Sequence, residues 1–183
     1  HGIADSYAGG SIQRVDLDTG AVETLYTHCG DAQIRGPNDI VFDADGGFWF
    51  TDYGKAYDRV LDRGAVYYAR TDGSFIKEAA FPMITPNGIG LSPDGKTLYV
   101  PESDAGKFWA WPILGPGELA KQPWPSPAGG TFLNGVRGYQ RYDSLAVEAN
   151  GNSAVATLVD GGISVFPPEG ELLEFHEAPE IYC

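Results

Sequence analysis

Asn38-Asp39-Ile40-Val41-Phe42-Asp43-Ala44-Asp45-Gly46-Gly47-Phe48-Trp49-Phe50-Thr51 is a phrase that the chain writes three times. It returns as Asn87-Gly88-Ile89-Gly90-Leu91-Ser92-Pro93-Asp94-Gly95-Lys96-Thr97-Leu98-Tyr99-Val100. It returns more loosely as Asp143-Ser144-Leu145-Ala146-Val147-Glu148-Ala149-Asn150-Gly151-Asn152-Ser153-Ala154-Val155-Ala156. Each copy has a polar amide or carboxylate, an apolar strand, an Asp-Gly or Asn-Gly turn and a second strand, the pattern of a β-hairpin. The copies start 49 and then 56 residues apart, at or just above the period of propeller blades. Blades stacked around an axis would bring the three leading residues, Asn38, Asn87 and Asp143, to one radial position.

Outward from these hairpins the spacing predicts four short antiparallel strands per unit, the content of a propeller blade. The predicted fold is therefore all-β, a single β-propeller domain over residues 1–183. Residues 1–30 read as the back half of a blade, with a hairpin across Asp18-Thr19-Gly20. Full blades are expected at 38–80, at 87–133 with a long Gly- and Pro-rich loop over 113–138, and at 143–176. No stretch keeps a period of 3.6 residues, so no core helix is expected. About 3.5 blades do not close a ring and would leave blade faces and edges bare. The chain, which begins at His1 and stops at Cys183 without a turn or tail signal, is expected to be a piece of a protein of about six blades.

Composition narrows the function. The chain is 43% hydrophobic and 20% charged, in the range of soluble globular proteins. A formal charge of −13 argues against nucleic-acid partners, whose phosphates call for clustered Lys and Arg. No apolar run approaches the roughly 20 residues of a membrane span. The sequence present shows no signal-peptide pattern, and a cytoplasmic location is the expectation, with secretion left open. Cys29 and Cys183 form neither a disulfide framework nor a zinc site. They are expected to be unpaired, or one of them bonded to an absent partner.

With these motifs in hand, the chain resembles the family of six-bladed propellers that includes senescence marker protein, gluconolactonase and luciferin-regenerating enzyme. Carrying the resemblance are Gly36-Pro37-Asn38-Asp39 with Phe48-Trp49-Phe50-Thr51-Asp52, Thr85-Pro86-Asn87-Gly88-Ile89 with Ser92-Pro93-Asp94-Gly95-Lys96, and Asp143 at the head of the third unit. The resemblance implies a divalent cation in the central channel, calcium above zinc or manganese. Asn87 and Asp143 match two of its ligands, and Asn38 matches an Asn that lines the pocket and meets substrate. The third ligand, a Glu from an earlier blade, has no counterpart here and is expected before His1. Members that bind sugar lactones carry an Arg just before the pocket Asn, and Arg35 is the nearest match, displaced by one residue.

Chemistry agrees with the resemblance. Hard divalent cations take oxygen ligands, which Asn carbonyls and carboxylates supply. Opening a lactone, a cyclic ester, needs a base for the attacking water. Asp143 is the only acid among the leading residues and is the candidate, although sharing it with a cation would lower its basicity; the missing Glu or another acid is its rival. The expected activity is a metal-dependent lactonase of sugar-lactone type acting on a small molecule. The alternatives are a paraoxonase- or phosphotriesterase-like esterase on the same site, a non-catalytic metal-binding module and, more weakly, a strictosidine-synthase-like propeller.

Other residues of the right type read as structural. Asp45-Gly46, Asp94-Gly95 and Asn150-Gly151 are hairpin turns in which Gly supplies positive φ. Asp39 reads as a local cap. Trp49, Tyr99, Phe108 and Trp111 read as packing between blades, and residues 53–62 as a solvated loop. His1, His28 and His176 fall at no motif position, and no Gly-x-Ser-x-Gly is present.

Overall fold

A computed structural model describes residues 6–179, and its regular structure is all β. A first hairpin pairs β1 (Ile12–Val15) with β2 (Val22–Tyr26), and a small one pairs β3 (His28–Cys29) with β4 (Ala32–Gln33). The first full blade is β5 (Pro37–Phe42), β6 (Gly47–Asp52), β7 (Gly64–Arg70) and β8 (Ile76–Met83), antiparallel in chain order. The second is built on β9 (Gly90–Leu91), β10 (Thr97–Glu102) and β11 (Lys107–Gly115). The third is β14 (Tyr142–Val147), β15 (Ser153–Thr157), β16 (Gly162–Phe166) and β17 (Glu174–Glu177). Meandering four-stranded sheets, neighbours in sequence and in space, are propeller blades.

The fourth strand of the second blade lies inside the segment expected to be a long loop over 113–138. There β12 (Glu118–Leu119) pairs with the far end of β11, and β13 (Thr131–Gly135) pairs with β11 to complete the blade. The physical reason is tertiary. Phe132 is more than half exposed and packs edge-on against Trp109 of β11, ring centroids 5.5 Å apart, so the strand is held by its partner and not by its own alternation.

The core consists of the seams between blades. Successive side chains of a strand point to opposite faces, and the inner strands bury both. From β6, Phe48 and Phe50 pack with Tyr26, Ile34 and Tyr67 toward the first hairpin, while Trp49 packs with Tyr68, Met83, Leu98 and Trp111 toward the second blade. From β10, Leu98 and Val100 join that same seam, and Tyr99 turns the other way to meet Phe108, Tyr142, Val155 and Phe166. The aromatics assigned to packing between blades therefore pack there.

Candidate active site

The three leading residues occupy equivalent places. Pro37 pairs with Asp52, Pro86 bridges to Glu102 and Tyr142 pairs with Thr157. Each leading residue thus follows the residue that faces the end of its blade's second strand. The residue after each second strand repeats the equivalence: Tyr53 N donates to Gly36 O (2.8 Å), Ser103 N to Thr85 O (2.9 Å) and Leu158 N to Arg141 O (2.9 Å). In each case the acceptor lies two residues before the leading one.

Neighbouring blades touch through these same segments. Gly88 N donates to Asp143 O at 3.1 Å. Ile89 N donates to the Asp39 carboxylate at 3.0 Å, and Thr51 Oγ1 donates to Asn87 O at 2.5 Å. The approach at Gly88 is so close that a Cβ there would sit 2.5 Å from Leu145 N and 2.9 Å from Asp143 O. Glycine is used here because no side chain fits, not because of its φ.

The side chains differ in what they have left to offer. Asn87 is buried, 7% exposed, and donates from Nδ2 to Ser103 Oγ at 3.0 Å. Its carbonyl Oδ1 accepts no hydrogen bond among the described residues. Asp143 is half-buried, and its carboxylate makes neither a hydrogen bond nor an ion pair among the described residues. Asn38 is exposed, and its amide is likewise uncommitted among them. Hard, uncommitted oxygens on adjacent blades are the donors a divalent cation takes. Asn87 and Asp143 therefore fit part of a cation site. No group of three His, Cys, Asp or Glu side chains able to hold a metal occurs among the described residues.

Arg35 is engaged elsewhere. Its Nη1 donates to Gln33 Oε1 at 2.6 Å, its Nε lies 3.6 Å from Asp62, and its backbone N–H is bound by Asp52. Asp39 accepts from Ile40 N as well as Ile89 N, so it works as a cap and a cross-blade tie. His1 and Cys183 lie outside the described residues, and Cys29 Sγ rests 3.8 Å from Ile76 O.

Several residues to which the sequence alone assigns no role shape the site. Asp52, 3% exposed, accepts from Arg35 N (2.7 Å), Gly36 N (2.6 Å) and Gly54 N (2.9 Å), and so latches the segment leading to Asn38. Glu102 does the same before Asn87, accepting from Ile84 N (2.5 Å) and Trp109 Nε1 (2.8 Å). Burial pushes the Glu102 carboxyl above its ordinary pKa, and these donors pull it only part of the way back. Thr85, fully buried, adopts φ +50°, a left-handed conformation that a β-branched residue holds only when its surroundings impose it. Ser103 N and Asp104 N impose it by donating to Thr85 O and Oγ1. The acidic residue ending each of the first two second strands was the available signal; the bonds that reach back to the approach segments span 16 to 19 residues.

Comparison with known proteins gives the family. Residues 6–183 match the family model described as the SMP-30/gluconolactonase/LRE-like region. Lactonase drp35 of Staphylococcus saprophyticus is 30% identical over 168 residues, which is 92% of this chain and 49% of that protein. A gluconolactonase structure from Xanthomonas campestris superposes with a TM-score of 0.73 at 26% identity, over 92% of this chain and 56% of its own. A calcium-binding protein of Agrobacterium tumefaciens, regucalcin, superposes with a TM-score of 0.74 at 19% identity, over 93% and 55%; that likeness speaks for the fold. The chain spans about half the length of the relatives it matches.

Proposed function

Because the chain belongs to the SMP-30/gluconolactonase/LRE-like family, we propose that the protein it comes from hydrolyses a lactone, of sugar-lactone type, with a divalent cation, calcium first, held at the inner ends of the blades. The observation that carries the reading is the pair of uncommitted oxygens on adjacent blades, Asn87 Oδ1 and the Asp143 carboxylate, joined through the backbone contact between Gly88 and Asp143. Asn87 and Asp143 would hold the cation, with a further acid supplied from outside residues 1–183. When bound, the ion supplies Lewis-acid polarisation of the ester carbonyl and acidifies water.

The chain's own residues do the rest. Asp143 takes the proton of the attacking water at its carboxylate, the general-base role. The exposed amide of Asn38 offers both a donor and an acceptor, the pairing needed to orient ring hydroxyls. Arg35 would join it as a second recognition group only when released from both Gln33 and Asp62. The buried carboxylates of Asp52 and Glu102 keep both approach segments fixed, so the leading residues would meet a ligand without reorganisation.

The test uses the full-length protein. Asp143→Ala is expected to lose both bound metal and turnover of glucono-lactone, and normal values for both would overturn the assignment. Chelator should abolish wild-type turnover. Aryl-ester hydrolysis without lactone hydrolysis would move the activity to the esterase class, and a metal-loaded protein that opens neither substrate would be a binding module.

A further inference from the structure

We infer that Ser103 is a positioning residue that orients the Asn87 amide and makes position 87 require an amide where position 143 takes an acid. The inference deepens the cation reading above and rests on it for its functional meaning. Ser103 is buried, 2% exposed. Its hydroxyl has one proton, donated to Tyr142 O at 2.6 Å, and it accepts the Asn87 Nδ2 proton at 3.0 Å. A hydroxyl has one donor and two lone pairs. With its proton committed to Tyr142, the group presented to it from position 87 must itself be a donor.

An Asn meets that demand and is thereby fixed with Nδ2 toward Ser103 and Oδ1 away. An Asp would set a carboxylate oxygen against the hydroxyl's lone pairs, or draw the hydroxyl off Tyr142 and orphan that carbonyl. Through its two bonds the same hydroxyl ties Asn87 to the peptide immediately before Asp143, so one side chain sets the orientation of the first oxygen and the place of the second. Ser103 is itself clamped, since its N–H holds the left-handed Thr85. The equivalent positions in the flanking blades carry Tyr53 and Leu158, and neither places a hydroxyl against its leading residue. Outer groups that orient a ligand side chain typically tune affinity by about 10- to 100-fold.

The experiment measures calcium binding by titration calorimetry in the full-length protein, with melting temperature as the check on folding. Ser103→Ala is expected to weaken calcium binding about 10- to 100-fold with folding retained, and Ser103→Thr, which keeps the hydroxyl, to restore most of it. Asn87→Asp is expected to weaken binding even though it adds a negative charge. Unchanged affinity in a folded Ser103→Ala variant, or tighter binding by Asn87→Asp, overturns the inference. A wild-type protein that binds no calcium sinks the cation reading instead. The Asn87 side-chain amide protons, followed by NMR exchange, then still report on Ser103: protection lost in Ser103→Ala supports the orienting role, and protection retained overturns it.

Discussion

The first strand of each blade carries Asn or Asp near both ends, and the two ends treat the same chemistry in opposite ways. At the turn end the side chains are spent on nearby donors, most of them backbone N–H groups. Asp43 accepts from Asp45 N and Gly47 N, both at 2.8 Å, and from Tyr68 OH at 2.9 Å. Asp94 accepts from Ser92 Oγ at 2.6 Å and Lys96 N at 3.1 Å, and Asn150 from Asn152 N at 2.9 Å. At the opening end, Asn38, Asn87 and Asp143 leave oxygens uncommitted among the described residues. A polar residue before a strand is thus no evidence of function until its hydrogen bonds have been followed.

Breaking the opening end should change chemistry and leave folding alone. Asp143→Ala in the full-length protein should lower lactone turnover by about 10²-fold or more, the least that losing a general base costs, with a melting temperature near that of the wild type when both are measured in chelator, which removes the stabilisation a bound ion gives. A comparable loss of stability would mean that Asp143 is a cap after all. Next in size is Asp52→Ala, which orphans three backbone N–H groups at about 1–3 kcal/mol each before relaxation. A loss of about 3 kcal/mol or more in denaturant unfolding is expected, and a loss under about 1 kcal/mol would show that Asp52 is not a latch.

The turn end should give the reverse signature to the opening end. Asp43→Ala should cost about 1–2 kcal/mol of stability and leave turnover per folded molecule unchanged; reduced turnover would erase the distinction between the two ends. Smallest is a pH effect at the same turn. Burial, and the hydrogen bond to the charged Asp43, push Tyr68 from 10.0 up to about 12. Between these values the folded chain keeps a proton that the unfolded chain has released. The associated stability is therefore complete below pH 10 and is lost as pH rises toward about 12. Tyr68→Phe should make that alkaline limb shallower in a pH series of melting temperatures, with Tyr67 and Tyr142, also pushed up by burial, supplying the remainder, and an unchanged slope would remove Tyr68 as a contributor.

The fold was legible because its signals are local. Short apolar runs in Gly47–Asp52 and Gly64–Arg70, bounded by Asp-Gly turns, read as strands from within a dozen residues. What stayed hidden depends on distant partners. Strand β13 reads as loop because Gly and Pro surround it, and only its pairing with β11 makes it a strand. For the site, the repeat brought out Asn38, Asn87 and Asp143 as equivalent positions. It could not bring out Ser103 or Thr85, whose importance lies in bonds made across 16 to 39 residues. Arg35 shows the opposite limit, since proximity in sequence to Asn38 says nothing of its engagement with Gln33 and Asp62.

Gly88 carries a thermodynamic consequence. With no room for a Cβ between it and residues 143–145, two blades are locked in register where their open oxygens lie, whatever occupies the channel. A ligand arriving there need not draw the walls together, because that loss of chain entropy was incurred on folding. Binding that begins from such a preassembled wall keeps more of its contact energy as affinity, and the blade loops are free to diverge in sequence without disturbing this seam.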